Sequence, residues 1–305
     1  MKKFYLLFGL ILLLSSMQLQ AERYKLPDNG DAIIGQMSLF TTKESDTFIE
    51  LSRRFGLGYQ ELVLANPKVD PWLPGEGTQI VIPTRFILPK SKRQGLILNT
   101  AEMRLYYFPK RELGYVYTYP ISIGKEGWDT PNTLTTIIGK KKDPTWTPPE
   151  SIKKEHEEKN DPLPDKVPPG PDNPLGEYAI RLGLAGYLIH GTNNPRGIGM
   201  RVTHGCVRLH PDDIRDLFAR VPINTPVAIV NQPYKLAWSE GKLYAEMHPS
   251  EGDESGGKSK NLTQFVKAII GATETKKDYK VNWQLANQLA KNKTGLPTSV
   301  GSKLQ

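Results

Sequence analysis

Short β-branched and aromatic runs dominate the middle of the chain. Residues 95–99, 103–108 and 115–121 predict consecutive strands, and 178–182, 187–190 and 227–230 add three more. One helix stands out after them. Pro211 fits its first position, Asp212 and Asp213 suit its positive end, and Ile214, Leu217, Phe218 and Val221 line one face. Several short strands with a single clear helix predict a mainly β (α+β) protein, with a β-sandwich-like domain over residues 94–231.

The flanking blocks are patterned differently. In residues 24–89, a short strand leads to Asp46-Thr47, and Phe48, Leu51 and Phe55 follow at helical spacing. Residues 59–66 read as a second helix stopped by Pro67, and Leu73-Pro74-Gly75 turns into a strand at 79–83. The result is a small βααβ module. Residues 232–305 start with two strands, 234–238 and 242–246, then a Ser/Gly/charged linker at 250–260. Val281, Leu285 and Leu289, with Gly295 and Pro297 beyond them, predict a last helix that docks on another block. Inside the central domain, residues 140–176 hold nine prolines and a charged stretch at 153–159. A structureless insertion of that length is expected to serve as a lid or substrate flap, with His156 solvated.

The first residues set the compartment. Lys2-Lys3, an apolar run at 4–14 and the small residue Ala21 make residues 1–21 a signal peptide rather than a spanning helix, which needs about 20 apolar residues. Cleavage near Ala21 is expected to leave an exported mature chain with no transmembrane anchor. With 38% hydrophobic and 24% charged residues, the chain is neither a disordered tail nor a multi-span membrane protein. A formal charge of +8 suits an anionic partner, and export makes nucleic acid a poor choice. A single cysteine excludes a disulfide framework and a zinc site of several thiolates.

That cysteine sits in the segment where chemistry concentrates. Cys206 follows His204-Gly205, and His190 lies sixteen residues before it; three of the five histidines (His190, His204, His210) fall between 190 and 210. An ordinary thiol is only slightly ionised at neutral pH, but a neutral imidazole within reach takes its proton and later returns it to a leaving amine. Backbone N–H groups around Gly205 and Cys206 suit an oxyanion, since glycine permits close approach. A lone cysteine is more often a small buried hydrophobe, and a histidine ending an apolar run is more often a satisfied core residue. Export shifts that balance, because an unpaired thiol is exposed to oxidation. A copper or zinc site from one Cys and two His lacks a nearby carboxylate to complete it, so no metal is expected.

The Ile189-His190-Gly191-Thr192 strand end followed by Thr203-His204-Gly205-Cys206-Val207-Arg208-Leu209 resembles the signature of the L,D-transpeptidase (YkuD-type) family. The likeness extends to Ala101–Tyr107, Pro144–Pro148 and Gly170–Pro174, and is nearest to the Gram-negative periplasmic subgroup that links the Braun-type outer-membrane lipoprotein to peptidoglycan. Residues 24–89 resemble a LysM peptidoglycan-binding module. The resemblance implies Cys206 as nucleophile, His190 as proton acceptor and donor, the Gly191 carbonyl as its orienting group and His204 as a catalytic-pocket residue. It also implies Gly205 and Cys206 at the oxyanion hole, and Arg208 and Thr203 toward substrate, standing where other members carry Asn and Ser. Peptidoglycan stem peptides would be donors, a lipoprotein lysine the acceptor, and no cofactor would be needed. Transfer to a second stem, hydrolysis by the same residues, and non-catalytic wall binding are the competing readings.

Overall fold

The computed structural model describes residues 22–250, 260–275 and 278–304. The expected signal peptide and most of the expected linker lie outside them. The chain opens with β1 (Glu22–Lys25), β2 (Ile33–Gly35) and β3 (Ser38–Thr41), then α1 (Phe48–Arg54), α2 (Tyr59–Ala65), β4 (Gln79–Ile82) and β5 (Arg85–Ile87). Thr47 caps α1 by accepting the Glu50 N–H, and the Glu61 carboxylate accepts the Gly58 N–H at the start of α2. The buried Asn66 side chain then ties the end of α2 to Val81 of β4 through both its amide nitrogen and its oxygen. β3 pairs β4 antiparallel, so the βααβ order is present.

The central part contains β6 (Gly95–Asn99), β7 (Arg104–Phe108), β8 (Tyr115–Pro120), β9 (Ile123–Gly124), β10 (Thr133–Lys142), α3 (Glu150–Glu158), β11 (Tyr178–Leu182) and β12 (Leu188–His190). A 3-10 turn at Pro195–Gly197, β13 (Arg201–Thr203), β14 (Val207–Arg208), α4 (Pro211–Arg220) and β15 (Pro226–Val230) complete it. Nine strands form one sheet in the order β1-β8-β7-β6-β15-β10-β11-β12-β14. Tyr117 and Tyr119 near one end of that order and Ile189 and Val207 near the other line the same core, with Ile214, Leu217 and Val221 of α4. The sheet therefore curls around its own core. β1, which the sequence pattern does not predict, extends this sheet by pairing with β8.

The β6–β8 strands are buried on both faces, which is why they read as continuous apolar runs rather than alternations. Leu96, Leu98 and Leu105 enter the main core, whereas Ile97, Tyr106, Phe108 and Val116 join Phe48, Leu51, Leu62 and Ile80 of the βααβ unit. The small unit thus shares a core with the large sheet. Arg104, 1% exposed at its side chain, reinforces the junction with a two-point ion pair to Glu61, Nε to Oε1 at 2.7 Å and Nη2 to Oε2 at 2.6 Å. On the other side of α2, the Tyr59 and Gln60 N–H groups donate to Ile198 and Gly199 carbonyls of the loop leading to Cys206. The backbones touch there. A Cβ on Gly199, whose φ is +83°, would lie 2.4 Å from Gly58 Cα.

Two expectations need correcting. The 140–176 stretch is not structureless: α3 lies in it, Trp146 bridges to Val167, and buried Asn173 reaches the carbonyls of Pro144, Val167 and Pro168 across its neck. The last block is β16 (Tyr234–Ser239), β17 (Lys242–Met247), α5 (Lys260–Thr273), β18 (Tyr279–Val281), α6 (Trp283–Asn292) and β19 (Thr298–Lys303). Its four strands run β16-β17-β19-β18 and share a core with Phe265, Ile269, Ala286 and Leu289. Val281 belongs to a strand, and α6 packs on its own block's β17 and β19, not on another block. A buried ionic cluster joins this block to the rest: Lys235 Nζ lies 2.6 Å from Glu102 and 2.7 Å from Glu246. Glu246 also accepts the Ile87 N–H.

Candidate active site

β12 and β14 run parallel, with Ile189 opposite Val207 and His190 opposite Arg208. Ile189 and Val207 point into the core, so the strand period of two turns His190 and Arg208 to the other face. Cys206 precedes Arg208 by two residues, and the Arg208 charge acts on both the His190 ring and the Cys206 thiol. The strand pair therefore sets His190 beside Arg208, eighteen positions on in the sequence, with Cys206 directly before β14.

His190 is 5% exposed, and its Nδ1 lies 2.7 Å from the Gly191 carbonyl. Donation of Nδ1–H to that oxygen leaves Nε2 with its lone pair in the neutral ring. Burial, with the Arg208 charge, pushes the imidazole down to about 4, so it is neutral at pH 7. Burial pushes the Cys206 thiol up, against smaller opposing effects from the Leu188 backbone and Arg208. The resting pair is thiol and neutral imidazole. Cys206 Sγ contacts the Gly186 carbonyl at 3.6 Å, and among the described residues neither neighbouring imidazole is hydrogen-bonded to it. Catalytic hydrogen bonds are often long or unformed in sites without substrate.

The turn before Cys206 is braced from several sides. Gly205 has φ +97°, a region that disfavours other residues, and a Cβ there would lie 3.1 Å from the Tyr187 ring. Its carbonyl accepts the Thr130 hydroxyl at 2.8 Å, and the Cys206 carbonyl accepts the Thr203 hydroxyl at 2.6 Å. Thr203 is thus buried and engaged with the turn. Arg208 is different. Its Nε is buried without a partner, and among the described residues the guanidinium makes no ion pair. Burial without a counter-ion lowers its pKa and makes it a receptive site for an anion.

His204 meets a group that the sequence reading missed. Its Nε2 lies 2.8 Å from Glu155 Oε2 of α3, and its ring meets Trp128 edge to face at 4.8 Å. No sequence signal singles out Glu155 among the charged residues of 153–159. His156, one position along, pairs with Asp161. His210 caps α4 through Nδ1, and its Nε2 is buried without a partner. The only grouping with metal-like geometry among the described residues is Glu102, Glu246 and His248, and Lys235 already occupies it.

A neutral imidazole, a thiol at a glycine turn and a guanidinium without an ion pair among the described residues suit acyl transfer through sulfur. The family assignment agrees with that class of chemistry. The L,D-transpeptidase catalytic domain (YkuD) matches residues 93–229, and the chain belongs to the L,D-transpeptidase family of transferases. It is 37% identical over 312 residues to the probable L,D-transpeptidase ErfK/SrfK of Escherichia coli K12, covering 99% of this chain and 98% of that protein. To the probable L,D-transpeptidase YbiS of the same strain it is 39% identical, covering 91% of each chain. The NMR structure of the catalytic domain of the E. faecium L,D-transpeptidase is 21% identical, covering 46% of this chain and 99% of that one with a TM-score of 0.34. No helix among the described residues is long and apolar enough to cross a membrane.

Proposed function

We propose that this protein is a periplasmic L,D-transpeptidase that acts on peptidoglycan tetrapeptide stems through a Cys206 thioester and passes the acyl group to a lipoprotein lysine. His190 Nε2 takes the thiol proton as Sγ attacks the carbonyl of the stem's third residue. Gly205 and Cys206 N–H groups hold the developing oxyanion. Collapse breaks the C–N bond, and His190 returns its proton to the departing D-alanine. The acceptor amine then attacks the thioester; the C–S bond breaks, the amine loses a proton, and the thiol is restored. No metal or organic cofactor enters.

The observation that carries this reading is His190 beside Arg208 on β12 and β14 with Cys206 directly before β14, the imidazole being neutral and its Nδ1 held by Gly191. Arg208, lacking a counter-ion, would hold a stem carboxylate. Thr203 would brace the nucleophile turn. The βααβ unit would act as a LysM-like wall-binding module, and residues 140–176 as a lid over the site. Incubating wild-type protein with sacculi and lipoprotein, then digesting and weighing the muropeptides, tests the assignment. Lipoprotein-linked muropeptides are expected. Crosslinks between third residues would reassign the acceptor to a second stem, shortened stems would make the protein a hydrolase, and unchanged muropeptides would leave wall binding alone.

A further inference from the structure

Helix α3 has no fully buried residue and one apolar side chain, the half-buried Ile152, so polar ties carry much of its attachment. Glu155 reaches across to Lys125 at 2.7 Å through Oε1 and to His204 at 2.8 Å through Oε2, while Lys159 of the same helix also approaches Oε1 at 2.6 Å. These partners hold the Glu155 carboxyl well below the usual carboxylate range. Lys125 is itself fastened to the nucleophile turn, its N–H donating to the Thr203 carbonyl at 2.9 Å. One carboxylate therefore joins the insertion helix, β9's following turn and the second imidazole.

From this juxtaposition we propose that Glu155 is a positioning residue for the transfer reaction, fixing His204 and fastening the insertion helix beside Cys206. The inference rests on the functional reading above. Accepting the Nε2–H fixes the ring's orientation and leaves its Nδ1 edge for the substrate, while Trp128 limits the ring from one side. The neck at Asn173 fixes where the insertion leaves the domain, so the Glu155 contact sets where its helix rests. Removing the carboxylate leaves Lys125, Lys159 and His204 facing one another without their common acceptor. Both the ring and the helix would then drift, and displacement on the order of 1 Å in a reacting group costs up to about 100-fold. His190 is held independently by the Gly191 carbonyl, so its proton transfer with the thiol should survive.

The test compares two reactions in Glu155→Ala, Glu155→Gln and, as a control on the same helix, Lys153→Ala, whose amine faces Asp165 and Glu150. Small-molecule acylation of Cys206 by a carbapenem, followed by intact mass, reads the thiol and His190. Transfer from a tetrapeptide stem to an amine reads the full site. Expected are a kcat for transfer about 10–100-fold lower in Glu155→Ala with KM nearly unchanged, partial recovery in Glu155→Gln, and carbapenem acylation within about threefold of wild type. Lys153→Ala should match wild type. By NMR, a slowly exchanging His204 Nε2–H, identified by its loss in His204→Gln, should also disappear in Glu155→Ala. Transfer by Glu155→Ala within twofold of wild type, or equal losses in both reactions, overturns the proposal. Wild-type protein that transfers nothing overturns the functional reading and the proposal with it.

Discussion

Acylation of Cys206 should be almost independent of pH between 5 and 8. The perturbation is a pH series on wild-type protein with a carbapenem, and the assay is the rate of adduct formation by intact mass. With His190 pushed down to about 4, about 90% of the rings remain neutral at pH 5. An imidazole with an ordinary pKa of about 6.5 would be only about 3% neutral there, a difference of roughly 30-fold. Burial also keeps Cys206 a thiol across this range, so neither reactant changes its resting state. The rate should fall only as the pH drops through about 4, and Arg208→Met should move that fall to higher pH by removing a cation that disfavours the charged ring. A midpoint near 6.5 would refute the buried neutral imidazole. A rate falling about 100-fold from pH 7 to pH 5 would mean that a pre-formed thiolate carries the reaction and that His190 does not take the proton during attack.

Other outcomes follow from groups already described. Cys206→Ala should form no adduct and release no D-alanine while keeping its melting temperature, and His190→Ala should slow acylation far more than His204→Gln; equal losses would show that one of the two imidazoles is misassigned. Arg104→Met should strand the Glu61 carboxylate inside the junction and destabilise by about 3–5 kcal/mol. For a chain this size that lowers Tm by about 6–20 °C, and adding Glu61→Met should restore much of it; thermal melts that show no recovery would mean the ion pair is not the cause. Asp213 lines a cavity of about 280 Å³ between α1 and α4, and burial pushes its carboxyl up to about 7. Its folded pKa exceeds its unfolded value near 3.9, so ionisation opposes folding above about pH 7 and not below pH 4. Asp213→Asn should therefore raise Tm at pH 8 and leave it unchanged at pH 4, as melts at the two values would register.

The parts legible in the sequence were those whose signal is local. Strands β6 to β8 announce themselves because burial on both faces demands continuous apolar residues, and α4 because one face meets the core. His190 and Cys206 stand out because residue type and glycine context coincide. What escaped depends on distant partners. Helix α3 has Ile152 as its one apolar residue, so it has no apolar face for periodicity to detect, and only the folded chain selects Glu155 from its charged neighbours. Val281 keeps phase with Leu285 and Leu289, yet Asn282 caps α6 by accepting the Leu285 N–H. An apolar residue just before a helix cap mimics one more turn of that helix. β1 is short, with three charged residues of four, and it becomes a strand because β8 offers it an open edge.

The shared core beneath the βααβ unit constrains how this lineage can recombine. A catalytic block detached from its small neighbour would present Ile97, Tyr106, Phe108 and Val116 to water, and a transplanted βααβ unit would have to cover the same four side chains. It would also need a residue without a side chain opposite Gly199, because the two backbones touch at Gly58. Shuffling at this boundary is thus closed to a simple cut and paste. Substitutions are expected to accumulate on the unit's outer surface, while its inner face and the sheet beneath it vary together.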